Sequence, residues 1–207
     1  MDFRAINFGK ADAKTEGSEY PDLLINGYLD SSGVIDLALH KSTFLFLGYK
    51  GSGKTALAEH IRLTGSNYCS FVTDIQLIDF PYKSFSKIIS GSSETEAKLP
   101  LAWEWLLLIM AIESLSKDNS LNISKLNEWD DTLQILRHIG ILPFINIRDI
   151  VNKSAKKAFR ISVLSSFEFS YEEDESMPKD NFAYIVSFLK DILCNVETHN
   201  KHYIVHQ

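Results

Sequence analysis

Hydrophobic and polar positions in the first third of the chain predict a strand–turn–helix–strand unit. The apolar run Phe44–Leu47 ends at Gly48, which is typical of a short buried strand in a parallel sheet. A helix should follow from Thr55 to about Thr64, and Tyr68–Thr73 predicts a second short strand. Upstream of this unit we expect a loosely held polar arm and two short helices, at Met1–Gly17, Pro21–Leu29 and Val34–His40.

The middle of the chain shows helical periodicity. Four helices are predicted, at Tyr82–Ile89, Glu96–Leu115, Glu128–Ile139 and Ile147–Phe159. Apolar side chains cover nearly every face of the second helix, so it should be buried almost all round. Its tryptophans, Trp103 and Trp105, fit a packed core better than a platform on which bases stack.

The last third of the chain is predicted to return to strands. Apolar and polar residues alternate from Ile161 to Tyr171, which is typical of a half-exposed strand, and the acidic run Glu172–Glu175 should be a solvated turn. An amphipathic helix is expected from Phe182 to Val196. The apolar-centred segment His202–His206 should form a final strand.

Composition indicates a globular protein and argues against some partners. The chain has 207 residues, of which 45% are hydrophobic and 23% charged, and this suits one α/β domain with a substantial core. A net charge of −6 argues against broad nonspecific binding of nucleic acid. The N-terminus is unlike a signal peptide, and the most hydrophobic stretch, Leu99–Ile112, is too short to cross a membrane. We therefore expect a cytoplasmic chain, with Cys69 and Cys194 as reduced core thiols.

The segment GYKGSGKTA, Gly48 to Ala56, matches the nucleotide phosphate-binding pattern G-x-x-x-x-G-K-T. Its glycines can adopt positive φ, so successive backbone N–H groups can surround phosphate oxygens at the N-terminus of a helix. Lys54 is the predicted catalytic cation, reaching the β- and γ-phosphates, and the Thr55 hydroxyl is the predicted Mg²⁺ ligand. Lys50 either adds charge toward a phosphate or is solvated. With ATP and Mg²⁺ as cofactors, the predicted binding residues are Gly48, Tyr49, Lys50, Gly51, Ser52, Gly53, Lys54, Thr55 and Ala56.

The acidic residues that hydrolysis would require have no clear counterpart in the chain. Many ATPases carry an Asp–Glu pair at the end of another apolar strand, and no such segment occurs here. We expect the sequence to be the N-terminal part of a longer ATPase, whose acidic pair follows the strand at His202–His206. A complete protein that binds without efficient turnover is the alternative. Asp74 and Asp149 are candidate metal partners and Asp79 is a weaker one, although each also suits an ordinary turn or cap.

These features together predict an α/β fold with a P-loop NTPase-like parallel sheet core and a largely helical insertion, in a nucleotide-binding domain that is incomplete. Residues 1–80 should hold the arm and the strand–helix–strand unit. Residues 81–159 should form the helical insertion, and residues 160–207 should return to the core of the same single domain.

The arrangement resembles the P-loop ATPases with an additional catalytic strand, the group that includes AAA-type and signal-transducing NTPases. More narrowly, it resembles a poorly characterised bacterial P-loop ATPase family, through the GYKGSGKTA loop and the tryptophan-containing segment LAWEWLLLIMAIESL at Leu101–Leu115. The resemblance implies that Lys54, Thr55 and the loop glycines keep the family's roles. It also implies a regulatory or defence ATPase that couples its nucleotide state to a partner.

Two other functions stay open at this point. A small P-loop kinase would use the same loop and could bind its acceptor hydroxyl through Asp74, although the scattered arginines form no arginine-rich lid. A non-catalytic interaction module with a vestigial loop would present the helical region Glu96–Phe159, which is also where we expect a protein partner of an ATPase to bind. The choice between ATP and GTP and the existence of a homo-oligomer stay open as well.

Overall fold

Helices and short strands alternate along the chain in this computed structural model, which describes residues 9–41, 43, 45–65, 70–75, 77, 80–88, 95–143, 146–168 and 182–206. The helices are α1 Ala13–Glu19, α2 Pro21–Gly27, α3 Val34–His40, α4 Lys54–Thr64, α5 Tyr82–Phe85, α6 Thr95–Leu115, α7 Leu126–His138, α8 Ile147–Ser154, α9 Lys157–Glu168 and α10 Phe182–Cys194. The strands are β1 Ser70–Ile75, β2 Asn122–Ile123, β3 Val196–Glu197 and β4 Lys201–His206. The fold is therefore mixed helix and strand.

Strands β1 and β4 form a parallel pair that joins distant parts of the sequence. Ser70 lies opposite Lys201 and Ile75 lies opposite His206, so both strands end at the same edge. The strands predicted at 68–73 and 202–206 are confirmed where the structure describes them, with small shifts of their ends. Strands β2 and β3 form a separate antiparallel pair of two residues each.

The β1–β4 pair separates two hydrophobic clusters because successive side chains of a strand point to opposite faces. On one face, Val72 and Tyr203 pack in a small cluster around Leu39, Leu57 and Ile61, which we call the loop cluster. On the other face, Ile75 and Ile204 pack against the much larger helical core. Each strand thus contributes to both clusters.

Helix α6 is the centre of the helical core. Trp105, Leu106, Ile109 and Ile112 are completely buried, as expected for a helix that is apolar almost all round. The Trp105 indole N–H donates a hydrogen bond of 3.0 Å to the Ser154 hydroxyl, which satisfies the polar atom of a buried side chain. Trp103 stacks on Phe80 with ring centroids 5.3 Å apart. Both tryptophans are therefore packing residues, as the sequence predicts.

The strand predicted at Ile161–Tyr171 is wrong over the described residues, where helix α9 runs from Lys157 to Glu168. The buried side chains in this stretch are Val163 and Phe167, which are four residues apart and share one face of a helix. Ile161 would share the buried face of a strand, but it is exposed. The alternation in the sequence suggested the two-residue period of a strand, but the segment has the period of a helix. Tyr171 and the acidic run Glu172–Glu175 lie outside the described residues.

The predicted strand at Phe44–Leu47 is also not present in the described part of that segment. Residues 45–47 form no strand, and Leu45 and Leu47 are 56% and 85% exposed, although the Phe46 ring packs against the loop cluster. The pattern of apolar side chains is that of a strand with one buried face. Among the described residues no strand pairs with this segment, so it does not form a strand.

Smaller differences concern the ends of elements. Part of the predicted loose arm is helix α1, whose residue Gly17 is buried. The predicted helix at Ile147–Phe159 is two helices, since a tight turn at Ala155 and Lys156 separates α8 from α9. Cys194 is a free thiol as expected, but it is exposed rather than in the core, and Cys69 lies outside the described residues.

A buried carboxylate, Asp118, ties the turn after α6 to the turn that leads into β4. It accepts hydrogen bonds from the Ser120 N–H at 2.8 Å, the Ser120 hydroxyl at 2.7 Å, the Thr198 hydroxyl at 2.6 Å and the Asn200 amide at 2.9 Å. His202 Nε2 lies 3.2 Å from the Asp118 Oδ2 atom. Burial alone would raise the pKa of Asp118, but the hydrogen bonds outweigh burial and hold it well below its usual range.

His202 carries this network onto the sheet. Because a carboxylate can only accept, Nε2 bears the proton that faces Asp118. Nδ1 lies 2.8 Å from the Ser114 hydroxyl and accepts from it when the imidazole is neutral. The imidazole also stacks on Phe71 of β1, with centroids 4.8 Å apart. Ser114 and Asp118 are both buried, so this serine–histidine–aspartate set offers no surface nucleophile. Its role is to fix the start of β4 against α6.

Replacing Asp118 with Asn should lower stability at neutral pH by about 1–3 kcal/mol, because the amide cannot accept all of these hydrogen bonds. The pKa of Asp118 is depressed in the fold, so its contribution is complete above the unfolded-chain value of about 3.9 and is lost as pH falls toward the folded value. Urea unfolding between about pH 7 and pH 2.5 should therefore show the difference between the two proteins shrinking below about pH 4.

The matched control is Asp131→Asn, which removes an exposed carboxylate from α7. It should leave stability within about 0.5 kcal/mol of the unmodified protein across the same range. A constant gap between Asp118→Asn and the unmodified protein at all pH values would contradict the assigned role.

Candidate functional site

Gly48–Gly53 form a turn, and Lys54–Ala56 are the first residues of helix α4. The Ser52 N–H donates to the Tyr49 carbonyl at 3.1 Å and closes the turn. Gly51 and Gly53 have φ of 88° and 83°, a left-handed backbone that residues with a side chain rarely adopt. These two glycines therefore allow the chain to reverse and enter α4 within the loop.

The N-terminus of α4 is free of capping side chains. Gly53 occupies the cap position, makes no side-chain hydrogen bond, and no acidic residue lies in the first turn. The first helical hydrogen bond of α4 joins the Leu57 N–H to the Gly53 carbonyl at 2.9 Å. The N–H groups of the helical residues before Leu57 therefore have no acceptor within the helix. Such N–H groups, together with the positive end of the helix dipole, favour an anion.

The Lys54 ammonium group lies within the loop. It donates to the Gly48 carbonyl at 2.7 Å and the Tyr49 carbonyl at 2.9 Å, and lies 3.4 Å from the Ser52 hydroxyl. The cation is thus held beside the same turn that presents the α4 N-terminus. Positive charge from a side chain and from backbone dipoles is brought together at one end of one helix.

The remaining predicted residues line the same turn with different degrees of exposure. Tyr49 is 92% exposed, and Lys50 and Ser52 are exposed as well. Thr55 and Ala56, in the first turn of α4, are half-buried. The structure therefore brings the predicted site residues into one loop with a cation at its centre, and Lys50 is placed at the outer surface.

The loop cluster packs against α4 and so supports this turn. Leu57 and Ile61 of α4 pack with Leu39 of α3, and partly buried side chains surround them, namely Tyr28, Val34, Ile35, Ala38, Phe46, Val72 and Tyr203. The Leu39 carbonyl accepts hydrogen bonds from the Lys201 ammonium at 2.9 Å and the Tyr203 hydroxyl at 2.8 Å. Strand β4 thereby holds the C-terminal end of α3, from which the chain runs into the loop.

Helix α1 packs closely against the side of α4. Gly17 approaches Glu59 so closely that an added Cβ atom would lie 2.6 Å from the Glu59 Cγ. The Glu59 carboxylate is buried and pairs with the Arg62 guanidinium, whose Nε donates at 3.0 Å. A paired buried carboxylate and a glycine opposite it hold α1 close to the side of α4, the helix that begins at the candidate loop.

The predicted metal partners differ in their placement. Asp74 lies on β1, one residue before its carboxyl end, opposite Val205 of β4. Asp149 lies in the first turn of α8, where its N–H donates to the Asn146 side chain, and α8 packs against α5, α6 and α9. The cap of α8 is Asn146, so Asp149 is a residue of the first turn rather than the cap. Asp79 lies outside the described residues.

The residues present fit a Mg²⁺-bound triphosphate. The left-handed Gly51 and Gly53, the uncapped α4 N-terminus and the Lys54 ammonium supply donors and positive charge, and the Thr55 hydroxyl is the oxygen that a hard cation prefers. Within the described ranges, no three or more His, Cys, Asp or Glu side chains form a group that could hold a metal ion.

A helix long and apolar enough to cross a bilayer is absent from the part of the chain described.

Comparison with known proteins adds no relative. No family model, curated protein or solved structure matches this chain. The assignment to a P-loop ATPase group therefore stays a prediction from the residues.

Gly53 offers a direct test of the loop conformation. An added Cβ at Gly53 meets no atom within 4 Å, so only its positive φ opposes a side chain. Gly53→Ala should therefore cost about 1–2 kcal/mol in unfolding free energy. The matched control is Gly27→Ala, which is equally uncrowded in α2 but has no positive φ, and it should be neutral or slightly stabilising. Equal effects of the two substitutions in urea unfolding would contradict the left-handed turn.

Proposed function

We propose that this chain binds Mg-ATP through Gly48–Ala56 and supplies the nucleotide-binding site of a regulatory or defence-type P-loop ATPase. The observation that carries the proposal is the conjunction at the start of α4. Two glycines with left-handed backbone conformation lie just before an uncapped helix N-terminus, and the Lys54 ammonium group is held in the same turn. Each of these features alone is common, but together they supply the donors and the charge that a polyphosphate requires.

In the proposed site, each residue has a distinct binding role. Backbone N–H groups of the loop and of the first turn of α4 donate to phosphate oxygens. Lys54 exchanges its hydrogen bonds to the loop carbonyls for phosphate oxygens, because a dianionic or trianionic acceptor attracts an ammonium group more strongly than a neutral carbonyl does. Thr55 contributes its hydroxyl to Mg²⁺, which when bound neutralises charge on the phosphates.

The first test removes the cation. Lys54→Ala should weaken Mg-ATP binding at least about tenfold, measured by isothermal titration calorimetry, because it removes the ammonium group that is hydrogen-bonded to the loop carbonyls. The control is Lys157→Ala, which removes the same charge from the exposed start of α9. Far-ultraviolet circular dichroism should show that both variants remain folded.

Equal ATP affinity of Lys54→Ala and the unmodified protein would remove the assignment. If the unmodified protein binds no nucleotide at millimolar concentration with Mg²⁺, the interaction-module alternative is favoured instead. Transfer of phosphate from ATP to a small metabolite would favour the kinase alternative.

A second test concerns the metal. Thr55→Ala should reduce the increase in ATP affinity that Mg²⁺ produces by about tenfold, whereas Thr55→Ser, which keeps the hydroxyl, should retain it. Binding is measured for each protein with Mg²⁺ and with excess chelator. The comparison isolates the hydroxyl from the loss of the methyl group in this half-buried position. Unchanged Mg²⁺ dependence in Thr55→Ala would exclude Thr55 as a ligand.

A further inference from the structure

A second concave surface lies beside the loop, between the N-terminal helices and the start of α4. This cleft has a volume of about 340 Å³, and its walls include Glu16 of α1, Leu23 and Gly27 of α2, Tyr28 and Leu29 after α2, and Ala56 of α4. The volume falls at the lower end of the range of small-molecule sites, about 300–1,000 Å³.

The position of Ala56 links the cleft to the phosphate-binding turn. Ala56 follows Thr55 directly in the first turn of α4, so the cleft begins where the proposed phosphate site ends. In a nucleotide the sugar joins the phosphates to the base. A bound nucleoside triphosphate therefore needs a second surface, for its base, next to the loop that holds its phosphates. On the described part of the chain, this cleft adjoins the loop through a shared residue.

The chemistry of the walls suits a base rather than further phosphate. Leu23 and the strongly exposed Leu29 offer apolar surface, and the Tyr28 ring is backed by His60 of α4 with centroids 4.8 Å apart. Apolar and aromatic walls favour the flat faces of a base. The Glu16 carboxylate would repel phosphate but can accept a hydrogen bond from an N–H group of the base.

The walls are also held in place relative to the loop. Helix α1, which carries Glu16, packs against α4 through Gly17 and the buried Glu59. Tyr28 packs against the loop cluster that supports α4. A cleft whose walls are attached to the phosphate-binding helix can position a base without a separate closing motion.

We propose that this cleft binds the nucleobase of the nucleotide whose phosphates bind at Gly48–Ala56, with Tyr28 and Leu29 against the base and Glu16 as a hydrogen-bond acceptor. This inference rests on the proposed function. It assigns the N-terminal helices a binding role that the loop motif does not include.

The test fills the cleft without touching the loop. Gly27 lines the cleft, an added Cβ there meets no atom within 4 Å, and leucine is a better helix residue than glycine. Gly27→Leu should therefore remain folded and should weaken ATP binding about tenfold or more. Affinity for inorganic tripolyphosphate with Mg²⁺ should stay within about twofold, because that ligand has no base. Both ligands are measured by calorimetry.

Two further variants sharpen the test. Asn26→Leu introduces the same side chain at the exposed neighbouring position, outside the cleft wall, and should change neither affinity. Leu29→Ala removes apolar surface from a highly exposed position without disturbing the core, and should weaken ATP but not tripolyphosphate by about threefold or more.

The possible results separate the two proposals. If Gly27→Leu binds ATP as tightly as the unmodified protein, or loses ATP and tripolyphosphate equally, the base-binding cleft is wrong and the loop proposal stands. If the unmodified protein binds neither ligand, the proposed function itself fails.

Discussion

The parallel pairing of β1 and β4 is the constraint on which the rest of the structure depends. Lys201 and Tyr203 point to one face and bond the end of α3, while His202 and Ile204 point to the other and meet α6 and the helical core. Since neighbouring residues of a strand alternate between faces, a shift of one residue would exchange every one of these contacts. The register therefore fixes the loop cluster and the helical core relative to each other.

The candidate site depends on this pairing although none of its binding groups lies on a strand. Helix α3 leads into the loop, and its last turn is held by two donors from β4 on one carbonyl oxygen, that of Leu39. Lysine near a helix C-terminus also offsets the negative end of the helix dipole. The loop itself needs only left-handed glycines and an uncapped helix. Its orientation comes from the loop cluster and from α1 against Glu59.

Much of this could be predicted from the sequence, and the failures have physical causes. The loop residues and the boundaries of α3 and α6 follow from local glycine chemistry and helical periodicity, which need no distant partner. The segment at Leu45–Leu47 has strand-like side chains, but whether it is a strand depends on backbone pairing that no local pattern encodes. In α9, Val163 and Phe167 fit a helix as well as the polar alternation fits a strand. No local pattern marks Asp118, because three of its partners lie 80 to 84 residues away in sequence.

The two hydrogen bonds to the Leu39 carbonyl have a consequence for how the protein assembles. Their donors follow Leu39 by 162 and 164 residues, so the support beneath the loop closes one of the longest chain segments in the molecule. Contacts between residues so distant in sequence form slowly, because the entropy of closing the intervening chain must be overcome first. During synthesis, which proceeds from the N-terminus, Gly48–Thr55 emerges long before β4. The earliest recognisable motif of this chain should therefore be among the last parts to reach its native conformation.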